Sequence, residues 1–88
     1  MHGIEKCIVY ILRSESAPSR HYIGITNDVH ARLKWHNTGP VGHTVDYRPW
    51  SIAVVIEFPT EREAVHFERY LKSGSGRAFA RRHFARSD

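Results

Sequence analysis

Two periods of apolar and polar residues run along this chain, and together they predict three strands and three helices. Short runs rich in β-branched and aromatic residues are typical of strands, whereas apolar residues that recur every three or four positions are typical of amphipathic helices. The predicted strands are residues 7–13, 21–26 and 50–58. The predicted helices are one that is capped by Asn27 or Asp28 and runs to about residue 37, one that opens at the capping box of Thr60 and Glu63 and runs to about residue 73, and one over about 77–85.

The order of these elements, β-β-α-β-α-α, predicts an α/β domain of the α+β type. We expect a central, three-stranded and mostly antiparallel sheet flanked by helices, within a single domain that covers residues 1–88. The third strand is mostly apolar at both parities, so both of its faces should be covered. Between the last two helices, the sequence Gly74-Ser75-Gly76 predicts a break.

The first helix carries two ionisable residues on the face that should point inward. Val29, Arg32, Leu33 and His36 follow the spacing i, i+3, i+4 and i+7, which usually faces a core. A cation beneath a packed face costs free energy unless it meets an anion or lines a cleft. Arg32 and His36 therefore indicate a functional site.

The second helix repeats this anomaly with the opposite charge, because Glu68 shares an apolar stripe with Phe67 and Leu71. Three interpretations remain open. Glu68 is either an edge residue that pairs with Lys72 one turn later, or half of a buried ion pair with Arg32, or one of several ionisable side chains that line a shared cleft.

The charge balance of the chain favours an anionic partner. The chain has 88 residues and a net charge of +4, with a pI near 9.6, which is typical of domains that bind polyanions such as nucleic acid. Its basic C-terminal segment and the loop before the third strand are the places where we expect such contacts. The predicted nucleic-acid contacts are Lys72, Arg77, Arg81 and Arg82 in the basic segment, and His43, Thr44, Tyr47 and Arg48 in the loop.

Other features narrow the class of protein. One cysteine excludes a disulfide within the chain and a zinc site made of four thiolates. No stretch is long and apolar enough to span a bilayer, and the first residues lack a secretory signal pattern. We therefore expect a soluble, cytoplasmic protein without a membrane partner.

Two tyrosines of the predicted hairpin share a face of the sheet with a glycine. Tyr10 lies on the first strand, and Tyr22 and Gly24 lie on the second, at positions whose side chains point the same way. The two hydroxyl groups can approach each other across the hairpin. A glycine within a strand leaves room for a bulge or for the close approach of a ligand.

In their order along the chain, these residues resemble the GIY-YIG nuclease family. The motifs are Val9-Tyr10-Ile11, then Tyr22-Ile23-Gly24 at a spacing of 12 between the tyrosines, then Arg32 and His36 on one helix and Glu68 on a later one. The likeness covers about residues 7–84. It is greatest to the short standalone members that are related to the N-terminal nuclease domain of excinuclease.

The resemblance implies metal-dependent hydrolysis of phosphodiester bonds in DNA, or in RNA, with Mg²⁺ or Mn²⁺ as the cofactor. Tyr10 or Tyr22 would act as the base for water, Arg32 would balance charge on the phosphate, and His36 would orient groups or relay a proton. Glu68 would hold the metal, since hard cations take oxygen ligands. A nicking activity in DNA repair, with specificity from a homodimer or a partner protein, would suit so small a domain.

The chain departs from the family pattern in two places. Ile8 stands where the first motif has its leading glycine, and no asparagine follows Asn37, although many members carry one after the glutamate helix. The second departure keeps open an alternative of a different class, a nucleic-acid-binding module that does not turn over. A protein-interaction domain is a third interpretation.

Overall fold

The computed structural model describes residues 7–40, 42 and 44–84, and in them the predicted elements follow the predicted order. The strands are β1 (Ile8–Ser14), β2 (His21–Thr26) and β3 (Trp50–Glu57), and the helices are α1 (Val29–Thr38), α2 (Glu61–Leu71) and α3 (Gly74–Phe84). A 3₁₀ turn, Val45–Tyr47, lies in the loop before β3. The predicted α+β class is therefore confirmed, whereas the extent of the domain over residues 1–88 stays a prediction.

The first strand is the centre of the sheet. The strand order is β2-β1-β3, and β1 pairs with both neighbours in the antiparallel direction. Every residue of β1 from Val9 onward is buried, which explains its nearly unbroken run of apolar residues. β3 lies at an edge, where Val55 is 44% exposed. The expectation that both faces of the third strand are covered therefore holds only in part.

Alternate residues of β1 point into two separate hydrophobic clusters, one on each face of the sheet. Val9 and Ile11 pack with residues of α2 and α3, whereas Tyr10 and Leu12 pack with Val29 of α1 and other residues of that side. We call these the α2–α3 face and the α1 face. Because strand side chains alternate, one strand supplies the floor of both layers.

The helices begin where the sequence places their caps. The Asp28 carboxylate accepts a hydrogen bond from the Ala31 amide at 3.0 Å, and the Thr60 hydroxyl accepts one from the Glu63 amide at 3.2 Å. Each bond satisfies an amide that the first turn of a helix leaves without a partner. Within the described part of the chain, none of the helices has the length and apolar character needed to cross a membrane.

The third helix begins three residues earlier than the sequence predicts. Gly74, Ser75 and Gly76 form its first turn instead of a break, and the Ser73 hydroxyl accepts a hydrogen bond from the Gly76 amide at 3.1 Å. Gly76 is buried, and a Cβ atom there would lie 1.7 Å from the Tyr70 carbonyl oxygen. This glycine is therefore required for the close approach of α2 and α3.

Polar side chains tie the end of α1 to the loop that follows it. The Asn37 amide group exchanges two hydrogen bonds with the Trp50 backbone, at 2.6 and 3.0 Å. The Arg48 guanidinium donates to the carbonyl oxygens of His36 and Gly39 at 2.6 and 2.5 Å. These bonds fix the last turn of α1, and with it the position of His36.

Candidate active site

Three aromatic rings meet between the hairpin and α1. The ring centroids of Tyr10 and Tyr22 are 6.2 Å apart, those of Tyr10 and His36 are 6.1 Å apart, and those of Tyr22 and His36 are 4.5 Å apart. Tyr10 comes from the central strand, Tyr22 from the edge strand β2, and His36 from the last turns of α1. The structure therefore brings together three of the five predicted site residues.

Gly24 makes room for the Tyr10 hydroxyl. The two residues are partners in the β1–β2 register, and a Cβ atom on Gly24 would lie 2.5 Å from the Tyr10 hydroxyl oxygen. Tyr10 is fully buried, so its ring has no free space into which to shift. The predicted close approach at this glycine is thus made by a tyrosine of the same chain.

A chain of hydrogen bonds runs from Tyr10 through His36 to the loop. The Tyr10 hydroxyl lies 3.1 Å from His36 Nε2, and His36 Nδ1 lies 3.2 Å from the Thr44 hydroxyl oxygen. When Nδ1 carries the proton and donates it to Thr44, Nε2 is free to accept from Tyr10. The loop residue Thr44 therefore sets which nitrogen of His36 faces the site.

Sequence reasoning placed Thr44 in the site region for a different reason, as a nucleic-acid contact. The structure instead buries it behind His36, where its carbonyl oxygen also accepts a hydrogen bond from the Trp50 indole at 2.8 Å. Nothing in the sequence pairs a loop threonine with a helix histidine eight residues earlier. His43, which was predicted beside it, lies outside the described residues.

Burial raises the pKa of Tyr10 above its ordinary value of 10. A hydrogen bond from Arg32 and the charge of its guanidinium act in the opposite direction, but the loss of solvation is the larger effect. Tyr10 is therefore a neutral phenol at physiological pH. In that form its hydroxyl is a proton donor, as the bond to His36 Nε2 requires.

Arg32 has an unused hydrogen-bond donor inside the site. Its guanidinium carbon lies 5.1 Å from the centre of the Trp35 ring, and the group is close enough to Tyr10 to affect the pKa of that phenol. Among the described residues, Arg32 Nε is the only buried side-chain nitrogen or oxygen without a hydrogen-bond partner. Such an atom is costly unless a ligand meets it, so its chemistry fits an anion such as a phosphate.

Glu68 lies apart from this cluster. It belongs to α2, which packs on the other face of the sheet, and its carboxylate forms an ion pair with Lys72 at 2.5 Å. The buried ion pair between Arg32 and Glu68 is therefore wrong, and the i, i+4 pair with Lys72 is confirmed. The physical reason is topological, since α1 and α2 cover opposite faces and their inward stripes do not meet.

The donor set suits a metal only in an open coordination site. Among the described residues, no group of three or more His, Cys, Asp or Glu side chains is placed to enclose an ion. Glu68 is nevertheless a carboxylate whose side chain is 16% exposed. Mg²⁺ is often held by one or two carboxylates, with water and substrate phosphates completing its shell, so this single carboxylate fits such an ion.

The predicted nucleic-acid contacts fall in different parts of the surface. A groove of about 920 Å³ between the hairpin and helices α2 and α3 contains Lys72, Arg77 and Arg81, whereas Arg82 does not line it. Tyr47 packs under the Arg20 guanidinium, with 4.8 Å between that group and the ring centre. Arg48 is engaged with the end of α1, so the structure gives it a structural role.

The sequence also matches a known family. The family model described as the GIY-YIG catalytic domain matches residues 6–82 of this chain. The chain belongs to the GIY-YIG family. The membership accounts for the tyrosines and the glycine of the hairpin, and it confirms both the predicted family and the predicted enzyme class, a GIY-YIG-type endonuclease domain.

Named GIY-YIG proteins resemble this chain over most of its length. It is 40% identical over 67 residues to the structure-specific endonuclease subunit SLX1 of Scheffersomyces stipitis, covering 68% of this chain and 20% of that protein. It is 44% identical over 64 residues to the protein of the same name from Schizosaccharomyces japonicus, covering 67% and 23%. It is 42% identical over 52 residues to the UPF0213 protein YazA of Bacillus subtilis, covering 58% and 52%.

The relatives named SLX1 are much longer than the matched part. This chain spans only about a fifth of the length of the first curated relatives that it matches. No solved structure gives a significant match. The family and its catalytic type are thus established, whereas the substrate and the partners are matters for proposal.

Proposed function

We propose that this GIY-YIG domain is a metal-dependent endonuclease that hydrolyses phosphodiester bonds in DNA and nicks it. The observation that carries the proposal is the buried, unpartnered Nε of Arg32 beside the Tyr10, Tyr22 and His36 rings. A donor of this kind gains a partner when a phosphate enters. Hydrolysis of that phosphate then needs a base, positive charge and a proton path, and the neighbouring residues supply each of them.

Tyr22 is the better of the two tyrosines for the role of base. Burial holds the Tyr10 phenol neutral by raising its pKa, and its hydroxyl is engaged with His36. Tyr22 instead lies on the edge strand and lines the open groove, where water can reach it. A base must lie within hydrogen-bond reach of the water that it activates, and this condition favours Tyr22.

The proposed step moves one proton and exchanges one bond to phosphorus. The water oxygen forms a bond to phosphorus, the proton of that water passes to the Tyr22 oxygen, and the P–O bond to the departing sugar oxygen breaks. Negative charge grows on the nonbridging oxygens in this step, and Arg32 stabilises it through its planar set of N–H donors. Tyr10 and His36 hold the rings in place and provide the path for proton exchange.

Glu68 is the residue that we expect to hold Mg²⁺ or Mn²⁺. When bound, such an ion supplies positive charge to the phosphate oxygens and to the leaving oxygen. Lys72 must then release the Glu68 carboxylate, with which it is now paired. Because Lys72 also lines the groove, a phosphate there offers its ammonium group another anion.

A second candidate function is a nucleic-acid-binding module without turnover. The observation that favours it is the ion pair between Lys72 and Glu68, which occupies the carboxylate on which metal binding depends. This alternative predicts salt-dependent binding to nucleic acid without cleavage by any metal.

DNA is the substrate that we propose, with RNA as the alternative, and the activity fits the repair of branched or damaged DNA. The support is the name of the relatives, which are called subunits of a structure-specific endonuclease. A subunit has a partner, so we propose that a partner protein or a second copy supplies specificity. The cytoplasmic location stays a prediction.

The test is nicking of supercoiled plasmid DNA by the wild-type chain in Mg²⁺ or Mn²⁺, compared with Glu68→Gln. We expect the substitution to lower the nicking rate by about 100-fold or more, because a bound metal contributes several kcal/mol to this chemistry. Glu61→Gln is the matched control, since Glu61 is an exposed carboxylate on the same helix. It should nick at the wild-type rate.

The outcomes separate the two functions. Equal nicking by the wild-type chain and Glu68→Gln would remove Glu68 from the site. If the wild-type chain binds plasmid in a salt-dependent way but nicks it with neither metal, the binding module replaces the enzyme.

A further inference from the structure

The α2–α3 face carries a cation that a hydrophobic layer does not need. Arg13 follows Val9 and Ile11 on the same side of β1, and only 8% of it is exposed. Its guanidinium donates to the Phe84 carbonyl oxygen at 3.4 Å. Among residues 7–40, 42 and 44–84, no carboxylate lies within ion-pair distance of it.

A buried guanidinium without a carboxylate is expensive unless an anion reaches it. Arg13 lines the groove between the hairpin and helices α2 and α3, so an anion has a path to it. Arg20 of the hairpin loop and Arg77 and Arg81 of α3 line the same groove. Lys72 adds a fifth cation, which is paired with Glu68.

The groove has little negative charge of its own to balance these cations. Glu15 is the one carboxylate among its lining residues, and that carboxylate accepts a hydrogen bond from the Ser51 hydroxyl. Four guanidinium groups from three segments of the chain thus surround one volume. Guanidinium groups match phosphate in shape and charge.

The groove reaches the candidate active site. Tyr22, the proposed base, is one of its lining residues, and His21 beside it faces Arg13 in the strand register. A strand of nucleic acid that lies in the groove therefore passes the edge of β2 where hydrolysis is proposed.

We infer that this groove binds the phosphodiester backbone of one substrate strand, with Arg13 at its floor and Arg20, Arg77 and Arg81 at its walls. The inference rests on the proposed function, because it describes how that substrate reaches Tyr22. It assigns two hairpin residues, Arg13 and Arg20, to nucleic-acid binding. It also separates Arg81, inside the groove, from its neighbour Arg82 outside it.

The experiment measures binding of a fluorescein-labelled DNA oligonucleotide, single-stranded and duplex, by fluorescence anisotropy in EDTA. We expect Arg13→Gln to weaken binding about tenfold or more, as the loss of a charge-assisted contact does. Its plot of log affinity against log salt should be shallower by about 1. The exposed residues give milder variants, and Arg20→Gln and Arg81→Gln should each lower affinity several-fold.

Arg62→Gln is the matched control. It removes the same charge from an exposed position of α2 that lines a different recess, with Phe58 and Phe67. Its affinity should equal that of the wild-type chain. Thermal unfolding of each variant shows whether it is folded, and if Arg13→Gln is not, then Arg20→Gln and Arg81→Gln decide the question.

The results distinguish this inference from the proposed function. If the wild-type chain nicks plasmid but Arg13→Gln, Arg20→Gln and Arg81→Gln bind DNA as tightly as Arg62→Gln, the groove is overturned and the nuclease stands. If the groove variants lose affinity while the wild-type chain nicks nothing, the groove stands and the nuclease is overturned.

Discussion

The two faces of the sheet are built from one strand but have opposite characters. On the α2–α3 face, Val9 and Ile11 pack with Ala64 and Leu71 in an apolar layer surrounded by aromatic rings. On the α1 face, Tyr10 contacts a buried histidine instead. The difference lies in the alternation of β1, because its odd and even residues face different helices.

The comparison teaches which face stabilises the fold and which performs chemistry. Apolar burial stabilises in proportion to the area removed from water, and the α2–α3 face supplies most of it away from its charged groove. Buried polar groups contribute little net stability even when they are paired, and Arg32 Nε is not paired. The α1 face therefore keeps a functional site at some cost in stability.

The largest expected effect is the loss of stability in Leu71→Ala. Leu71 is 0% exposed and lies in the apolar layer, so truncation removes buried methyl groups and leaves a cavity. We expect the free energy of unfolding to fall by about 2–5 kcal/mol. Urea denaturation followed by circular dichroism measures this change.

Val55→Ala is the control for that comparison. Val55 is 44% exposed on the edge strand β3, so its truncation should cost less than about 1 kcal/mol. Equal losses in the two variants would mean that the α2–α3 face is not the main source of stability.

Local signals in the sequence were enough to predict this division in outline. The two periods placed six elements, and the hydrogen bonds of Asp28 and Thr60 occur where the caps were expected. The face shared by Tyr10 and Tyr22 followed from strand parity alone. These features depend on neighbours in the chain, which a sequence shows directly.

Features that depend on the packing of distant segments were not predictable. A helical period shows that Arg32 and Glu68 point inward, but not that their helices cover opposite faces of the sheet. Thr44 reaches His36 only because the loop folds back on α1. In the same way, the early start of α3 follows from the contact that Gly76 makes with α2.

The second expected effect is on the α1 face, where Arg32→Gln should remove activity but not stability. We expect the nicking rate to fall by about 100- to 1,000-fold, as after loss of one donor that stabilises transition-state charge. The free energy of unfolding should change by less than about 1 kcal/mol, because the substitution also removes an unsatisfied buried donor. Plasmid nicking and urea denaturation measure the two quantities.

Lys34→Gln is the matched control for Arg32, since Lys34 is an exposed cation on the same helix. It should leave both quantities near their wild-type values. If Arg32→Gln instead destabilises the protein as much as Leu71→Ala does, Arg32 is a structural residue and the two faces do not differ as proposed.

The smallest expected effect is in the alkaline stability of Tyr10→Phe. Because burial raises the pKa of Tyr10 above 10 in the folded protein, the unfolded chain releases this proton first. The contribution of Tyr10 is therefore fully present below about pH 10 and is lost as the pH rises through the folded pKa. Tyr10→Phe has no such proton, so its free energy of unfolding should fall less steeply between about pH 9 and 11. Tyr70→Phe, at a position that is 40% exposed, should keep the wild-type slope, and equal slopes in all three proteins would show that Tyr10 ionises as a solvated phenol does.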